Sequence, residues 1–217
     1  MTFDFAKARE FMVEQQIRPW DVLDGRVLDV LARLPREAFV GERHRALAYA
    51  DLELPIGHGE TMFKPVLEGR ALQALELQGG ESVLEIGAGS GFMAACLASL
   101  AREVVGIERH ADLAEAAGDR LRAQGIGNAA VVAADAFAWT PGRQFDAICV
   151  SGAVDTIPSR FLEWLRPGGR MFVVQGRAPA MDAVLVHGDV NGHRIESLFE
   201  TGLAYLAGAE PPAEFQF

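Results

Sequence analysis

Short apolar runs alternate through the middle of the chain with longer stretches in which apolar residues recur every three or four positions. The runs are Val83–Ile86, Val104–Ile107, Ala129–Ala133, Phe145–Val150 and Met171–Val174. Between them lie Phe92–Ala101, an Ala/Leu/Arg-rich stretch over 111–124 stopped by Gly125, and Pro158–Leu165, before the Pro167-Gly168-Gly169 turn. Runs of four to six apolar residues read as buried strands and the periodic stretches as helices. Their alternation predicts a parallel sheet with helices on both faces. The pattern then changes. Ala183–His187 and the segment from His193 flank Asp189-Val190-Asn191-Gly192, and Asn-Gly between alternating segments predicts an antiparallel hairpin at the end of the sheet.

Upstream of the first strand the period is helical. Residues 4–17 read as one helix, interrupted by Pro19-Trp20-Asp21, with Asp21 as an N-cap. Leu23, Val27, Val30, Leu31 and Leu34 then form an apolar stripe that Pro35 ends. A further helix is predicted over Val66–Leu77, closed by Gly79-Gly80. Residues 51–65 hold two prolines and two glycines and show no period, so the expectation is an irregular, functional loop. Ala209–Phe217 reads as a poorly ordered tail. Two helices before the first strand are too few for a core of their own. The division expected is a single domain over 1–217, with helices and loop in 1–78 packed on an α/β core in 79–217.

Composition narrows the function classes. A chain of 217 residues, half of them apolar, is long enough for one full core. Its net charge of −10 argues against sequence-independent nucleic-acid binding, which needs a positive footprint. No apolar run reaches 18 residues and the N-terminus lacks a basic then apolar leader, so the expectation is a cytoplasmic protein without a membrane span. Cys96 and Cys149 have no metal-ligand spacing and read as reduced, buried, small apolar residues; no metal is expected.

The chemistry concentrates at Val83-Leu84-Glu85-Ile86-Gly87-Ala88-Gly89-Ser90-Gly91, a strand running into a glycine turn and a helix. Glycines there let the backbone turn sharply and approach a ligand closely. A dinucleotide fingerprint wants Gly or Ala where Phe92 stands, and Glu85 would repel a pyrophosphate. Both features weigh against a nicotinamide oxidoreductase, whereas a carboxylate there suits a cationic amino-acid ligand. Glu108 ends the neighbouring strand 19 residues after Gly89, where a carboxylate accepts from ribose hydroxyls. Asp135 ends the third strand, either as an acceptor for an adenine amino group or as an N-cap of the turn it opens. Ser151-Gly152-Ala153-Val154 follows the fourth strand at its C-terminal tip, where open α/β sheets bind ligands.

Glu-x-Gly-x-Gly-x-Gly resembles the first motif of class I S-adenosylmethionine (SAM) methyltransferases. The resemblance narrows to the protein-L-isoaspartate O-methyltransferase family and spans nearly the whole chain. It is carried by Met12-Val13-Glu14-Gln15-Gln16-Ile17, Leu47-Ala48-Tyr49, Leu54-Pro55-Ile56-Gly57-His58-Gly59-Glu60-Thr61, Val83–Gly91, Gly106-Ile107-Glu108-Arg109 and Leu165-Arg166-Pro167-Gly168-Gly169. It implies a Rossmann-like fold with a mostly parallel seven-stranded sheet ending in an antiparallel hairpin, plus an N-terminal helical addition. It implies SAM as cofactor, bound by Thr61, Met62, Glu85, Gly87, Ala88, Gly89, Ser90, Glu108, Arg109, Asp135 and Ala136. The Pro-Ile-Gly-His-Gly block forms, in that family, a loop over the methyl group and the substrate carboxylate. After Thr the family reads Ile-Ser-Gln-Pro, with the Ser at the active site; this chain reads Met62-Phe63-Lys64-Pro65. The catalytic Ser is therefore not carried over. His58, Thr61, Phe63 and Lys64 remain as acceptor-side candidates, with His58 the nearest base for a neutral acceptor. The expected acceptor is a peptide or small molecule bearing a carboxylate or related group. A different small-molecule acceptor, or a SAM-binding homologue without catalysis, stands as the alternative.

Overall fold

In the computed structural model, described over residues 3–190 and 192–212, the chain forms six α-helices and nine strands among the described residues. The N-terminal helix predicted over 4–17 is α1 (Phe5–Phe11), capped by Asp4, which runs straight into a wider π turn over Met12–Ile17. Asp21 is not an N-cap: it takes a left-handed conformation after a short 3₁₀ turn, and Asp24 caps α2 (Gly25–Arg33), its carboxylate accepting from the Arg26 amide at 2.8 Å. Leu23 consequently falls outside the helix and is exposed, while Val27, Leu28, Val30 and Leu31 form the buried stripe.

The stretch over 51–65 is not irregular throughout. It folds into a small antiparallel hairpin, β1 (Leu54–Gly57) and β2 (Glu60–Met62), with His58 at positive φ in its turn. Then α3 (Pro65–Leu75) starts on a proline whose missing N–H costs nothing at a helix N-terminus. It ends at Glu76, which adopts the left-handed cap conformation itself, three residues before the first of the glycines expected to close it.

The remaining elements are β3 (Ser82–Ile86), α4 (Phe92–Ala98), β4 (Glu103–Glu108), α5 (Ala111–Ala123), β5 (Ala129–Ala133), β6 (Phe145–Val154), α6 (Ser159–Glu163), β7 (Leu165–Arg177), β8 (Ala180–Asp189) and β9 (Gly192–Thr201). Seven strands make one sheet in the order β5-β4-β3-β6-β7-β8-β9. The first five run parallel and β7, β8 and β9 pair antiparallel, as the hydrophobic pattern predicts. Asn191, in the predicted Asn-Gly turn, lies outside the described residues.

Period-two alternation divides the sheet's apolar residues between two cores. Val83, Ala147, Cys149, Phe172 and Val174 face the layer containing the N-terminal helices, α3 and α4. Leu84, Ile86, Ile148, Val150, Met171 and Val173 face the opposite layer, which includes Phe161 and Trp164. Burial on both faces explains why β3 is apolar without alternation, apart from Ser82 and Glu85. Helix α4 is buried on every side, so it is apolar all round. Both cysteines are free and buried. The predicted turn at Pro167-Gly168-Gly169 is instead absorbed into β7 as an irregularity between the Phe145–Leu165 and Ala147–Arg170 pairs.

Two features tie the periphery to this core. Arg36, fully buried, reaches Glu68 on α3 with two nitrogens (3.0 and 3.1 Å), the Ala48 carbonyl (2.7 Å) and the Phe63 carbonyl (2.5 Å). The segment after β9 returns to the sheet: Ala153 donates to the Ala204 carbonyl and Leu206 donates to the Ala153 carbonyl, a parallel bridge at Tyr205. This strap continues to Ala209, whose carbonyl accepts from Asp155, so the stretch expected to be a tail is held at its start. Residues 213–217 lie outside the described residues.

Candidate active site

The glycine turn sits at the C-terminal end of β3, and its conformation requires its sequence. Gly87, Gly89 and Gly91 all take positive φ, where a side chain is strained. A Cβ on Gly91 would lie 3.0 Å from that of Ala117, and one on Gly89 would lie 2.8 Å from Cδ1 of Ile56. The first contact lets α5 pack against the turn. The second lets the β1–β2 hairpin close over it. The amides of Gly87 and Ala88 both donate to the Ile107 carbonyl, and Ser90 Oγ accepts from the Phe92 amide where α4 begins.

Glu108, at the end of β4, is buried with its carboxylate turned back to the turn. Oε2 accepts from the Gly89 amide at 3.0 Å and Oε1 from the His110 amide at 2.9 Å. Each oxygen keeps a further lone pair for a ligand. The first function of Glu108 is therefore local: it pins the glycine turn to the neighbouring strand.

Glu85 is the unusual group. It is fully buried in the middle of β3, with Oε1 accepting from Ser151 Oγ at 3.0 Å and Oε2 without a partner among the described residues. Burial raises its carboxyl well above the usual carboxylate range, Ser151 opposes that rise, and the negative charges of Glu108 and Glu68 add to it. An acceptor oxygen sealed from water without a partner costs on the order of 1–3 kcal/mol, more when charged. A ligand donor reaching this oxygen would supply the partner it lacks.

Two neighbouring cavities with lining residues in common lie over the strand ends. An outer cleft of about 650 Å³, open to solvent, is lined by Glu108 and Arg109, by Asp135 and Ala136 at the end of β5, by Thr61, and by the strap residues Leu203–Ala207. An inner pocket of about 290 Å³ is lined by Met62, Phe63, Glu68, Glu85, Ala88, Ser90 and Met93. Thr61, Gly87, Gly89 and Ser151 line both. All eleven positions to which the sequence resemblance carries cofactor binding thus border one or the other of these two cavities.

The acceptor-side candidates separate. Thr61 and Phe63 border the cavities, whereas His58 and Lys64 line neither. His58 is at the surface, with Nε2 2.8 Å from Asp112 at the start of α5 and its ring stacked on His110 at 4.0 Å between centroids. It latches the hairpin to α5. Lys64 occupies the N-cap position of α3 without a side-chain capping bond. Asp135 does cap the turn it opens, Oδ1 accepting from the Phe137 amide at 2.8 Å, and it still borders the outer cleft.

Three contributors were not assigned from the sequence. Ser151 was placed at a strand tip but not paired with Glu85, 66 residues away in the chain. Glu68 was given no role, because its burial depends on Arg36, 32 residues away in the chain. The strap carries no motif, since its apolar residues meet the cleft only through pairing with β6.

A parallel sheet extended by an antiparallel pair, with a glycine turn between two acidic residues at adjacent strands, defines a Rossmann-like methyltransferase. Comparison with known proteins agrees. The sequence model of the family "Protein-L-isoaspartate(D-aspartate) O-methyltransferase (PCMT)" matches residues 7–199. Protein-L-isoaspartate O-methyltransferase 1 of Rhodopseudomonas palustris is 43% identical over 209 residues, covering 95% of this chain and 85% of that protein. The protein of the same name from Syntrophobacter fumaroxidans is 40% identical over 206 residues, covering 94% and 96%. In fold, the chain is similar to a Plasmodium falciparum beta-aspartate methyltransferase crystallised with S-adenosyl-L-homocysteine, with a TM-score of 0.78 at 18% identity, covering 94% of this chain and 99% of that one. The chain belongs to the protein-L-isoaspartate O-methyltransferase family and is a SAM-dependent methyltransferase.

Proposed function

We propose that SAM lies across the two cavities and that its methyl group passes to a carboxylate entering from the outer cleft. The observation that carries this reading is the orphaned Oε2 of Glu85 in the inner pocket, which a methionyl ammonium would satisfy. Gly87, Ala88, Gly89 and Ser90 then cradle the amino-acid portion, Glu108 accepts from the ribose hydroxyls, and Asp135 and Ala136 flank the adenine. Arg109 borders the rim, and Thr61 and Met62 close the site from the hairpin.

The bound cofactor supplies an electrophilic methyl on a sulfonium. A carboxylate acceptor is ionised at neutral pH and needs no base to become a nucleophile. The chain's own work is then to orient the two partners and exclude water. That fits a site in which His58 is engaged at the surface rather than poised over the cleft. Phe63 borders the inner pocket beside Glu85, so a phenyl ring stands where the family's pattern has a hydroxyl. The acceptor carboxylate must be oriented without that donor, and isoaspartyl peptides are poor substrates on this reading. The ring also favours an apolar or aromatic small-molecule carboxylate as an alternative acceptor.

A labelled-methyl transfer assay tests this with an isoaspartyl peptide and a panel of carboxylates, phenols and amines. The expected product is a base-labile methyl ester, formed slowly on the isoaspartyl peptide. Label appearing only on phenols or amines overturns the carboxylate assignment.

A further inference from the structure

The inner pocket holds an imbalance of charge that the fold alone does not resolve. Alternation along β3 turns Glu85 toward the layer of α3 and α4. There it accepts from Ser151 of β6 at 3.0 Å, and the charges of Glu68 on α3 and Glu108 on β4 act on it. None of these carries a positive charge. The one buried cation of this region, Arg36, is committed to Glu68 through two nitrogens and spends two more contacts on carbonyls. Among the described residues Glu85 therefore has a single hydroxyl donor, two acidic neighbours and no counter-ion.

A buried carboxylate in such surroundings either takes up a proton or waits for a cation. Desolvation and the two like charges drive Glu85 toward the protonated form, as stated above. The methyl donor and its product differ in the charge they bring to this pocket. SAM carries an ammonium and a sulfonium against one carboxylate, a net of one positive charge. The demethylated product keeps the ammonium and carboxylate and has lost the sulfonium, so it is neutral.

We propose that Glu85 is protonated in the empty pocket and gives up one proton when the donor binds, so that the pocket distinguishes the charged donor from its neutral product. The proton balance closes around a turnover. Binding of the donor releases one proton from Glu85 to solvent, leaving a carboxylate beside the donor's cations. Methyl transfer consumes the sulfonium charge, and Glu85 then recovers a proton from solvent. Glu85 then faces a ligand of zero net charge, which favours the neutral acid again and loosens the product. Ser151 donates to Oε1 in the structure, leaving Oε2 as the site that gains or loses the proton. By linkage, release of one proton makes donor affinity rise up to tenfold per pH unit while Glu85 is protonated, and level off above that range. Product affinity stays flatter.

This inference rests on the proposed cofactor site, and calorimetry separates the two. The intact protein is titrated with SAM and with S-adenosyl-L-homocysteine in buffers of different ionisation enthalpy, between pH 5 and 7. Over that range the donor's own α-ammonium, with an ordinary pKa of about 7.7–8.0, stays charged. The expected result is release of close to one proton per SAM at the acid end and markedly less per product molecule. In Glu85→Gln, which cannot ionise, proton release disappears and the preference for SAM over product shrinks at least tenfold. An analogue with a primary amine in place of the sulfonium should behave as the donor does. Absence of binding by any of these ligands defeats the cofactor assignment itself. Binding of SAM without proton release at every pH, equal release with SAM and product, or undiminished release in Glu85→Gln overturns the inference alone.

Discussion

Replacing Glu108 by Ala tests two consequences of one carboxylate. In the ligand-free protein its oxygens accept from the amides of Gly89 (3.0 Å) and His110 (2.9 Å), and the side chain is buried. Deleting it leaves the Gly89 amide without an acceptor in a closed environment. That costs about 1–3 kcal/mol, which for a protein of this size lowers Tm by roughly 2–4 °C per kcal/mol. The second consequence concerns the cofactor. Two hydrogen bonds from ribose hydroxyls to a charged acceptor are worth about 1.5–3 kcal/mol each. At about 1.4 kcal/mol per decade, losing even one weakens SAM binding at least tenfold, and losing both weakens it a hundredfold or more. Differential scanning fluorimetry without ligand reads the first effect and calorimetry with SAM reads the second. Glu108→Gln keeps one acceptor oxygen and should fall between the two in both measurements. If Glu108→Ala stays folded and its Kd for SAM is unchanged, Glu108 does not bind the ribose, and its function is confined to pinning the glycine turn. If Tm is also unchanged, the two amide bonds carry no stability and the account of the turn is wrong.

Phe63→Ser should raise isoaspartyl methylation, since one positioned donor at a reacting centre is worth on the order of a hundredfold in rate. It should also destabilise the protein, because Phe63 is 4% exposed and loss of a buried phenyl costs about 3–5 kcal/mol. An unmodified protein that already works on isoaspartyl peptide with kcat/KM near 10⁴ M⁻¹s⁻¹, a rate ordinary for enzymes, removes the reason for the substitution. Arg36→Met strands the buried Glu68 carboxylate and should cost about 3–5 kcal/mol by thermal denaturation. Adding Glu68→Leu should restore part of that loss; strictly additive losses in the double mutant would show that the pair is not coupled.

Much of the architecture was legible because it is written in local periods. The strand at Ala129–Ala133 has the bounds that the apolar run predicts, and the antiparallel ending follows from an Asn-Gly step between two alternating segments. The errors fall where local signals compete. Asp21 and Asp24 are equally good caps by residue type, and the choice went to Asp24 because Asp21 takes up the left-handed turn after Trp20. The β1 and β2 strands are four and three residues long, and β1 carries Pro55 and Gly57, so neither is long enough to show a period. Gly79 and Gly80 looked like a helix cap, yet Glu76 accepts the left-handed conformation and ends α3 first.

Local sequence sets the alternation of strands and helices in the α/β core, the glycine turn, and the acidic residues that stand at strand ends, because each depends on neighbours a few residues apart. Tertiary structure alone decided what those residues face. Packing brought Glu68 to Arg36 across 32 residues and Ser151 to Glu85 across 66. It folded the strap at Leu203–Ala207 back onto β6 as a wall of the cleft, and turned His58 out to Asp112. It also left one oxygen of Glu85 without a partner among the described residues. Charge and hydrogen bonding in a buried site act over a few ångströms of space, and chain position says little about which groups will share that space.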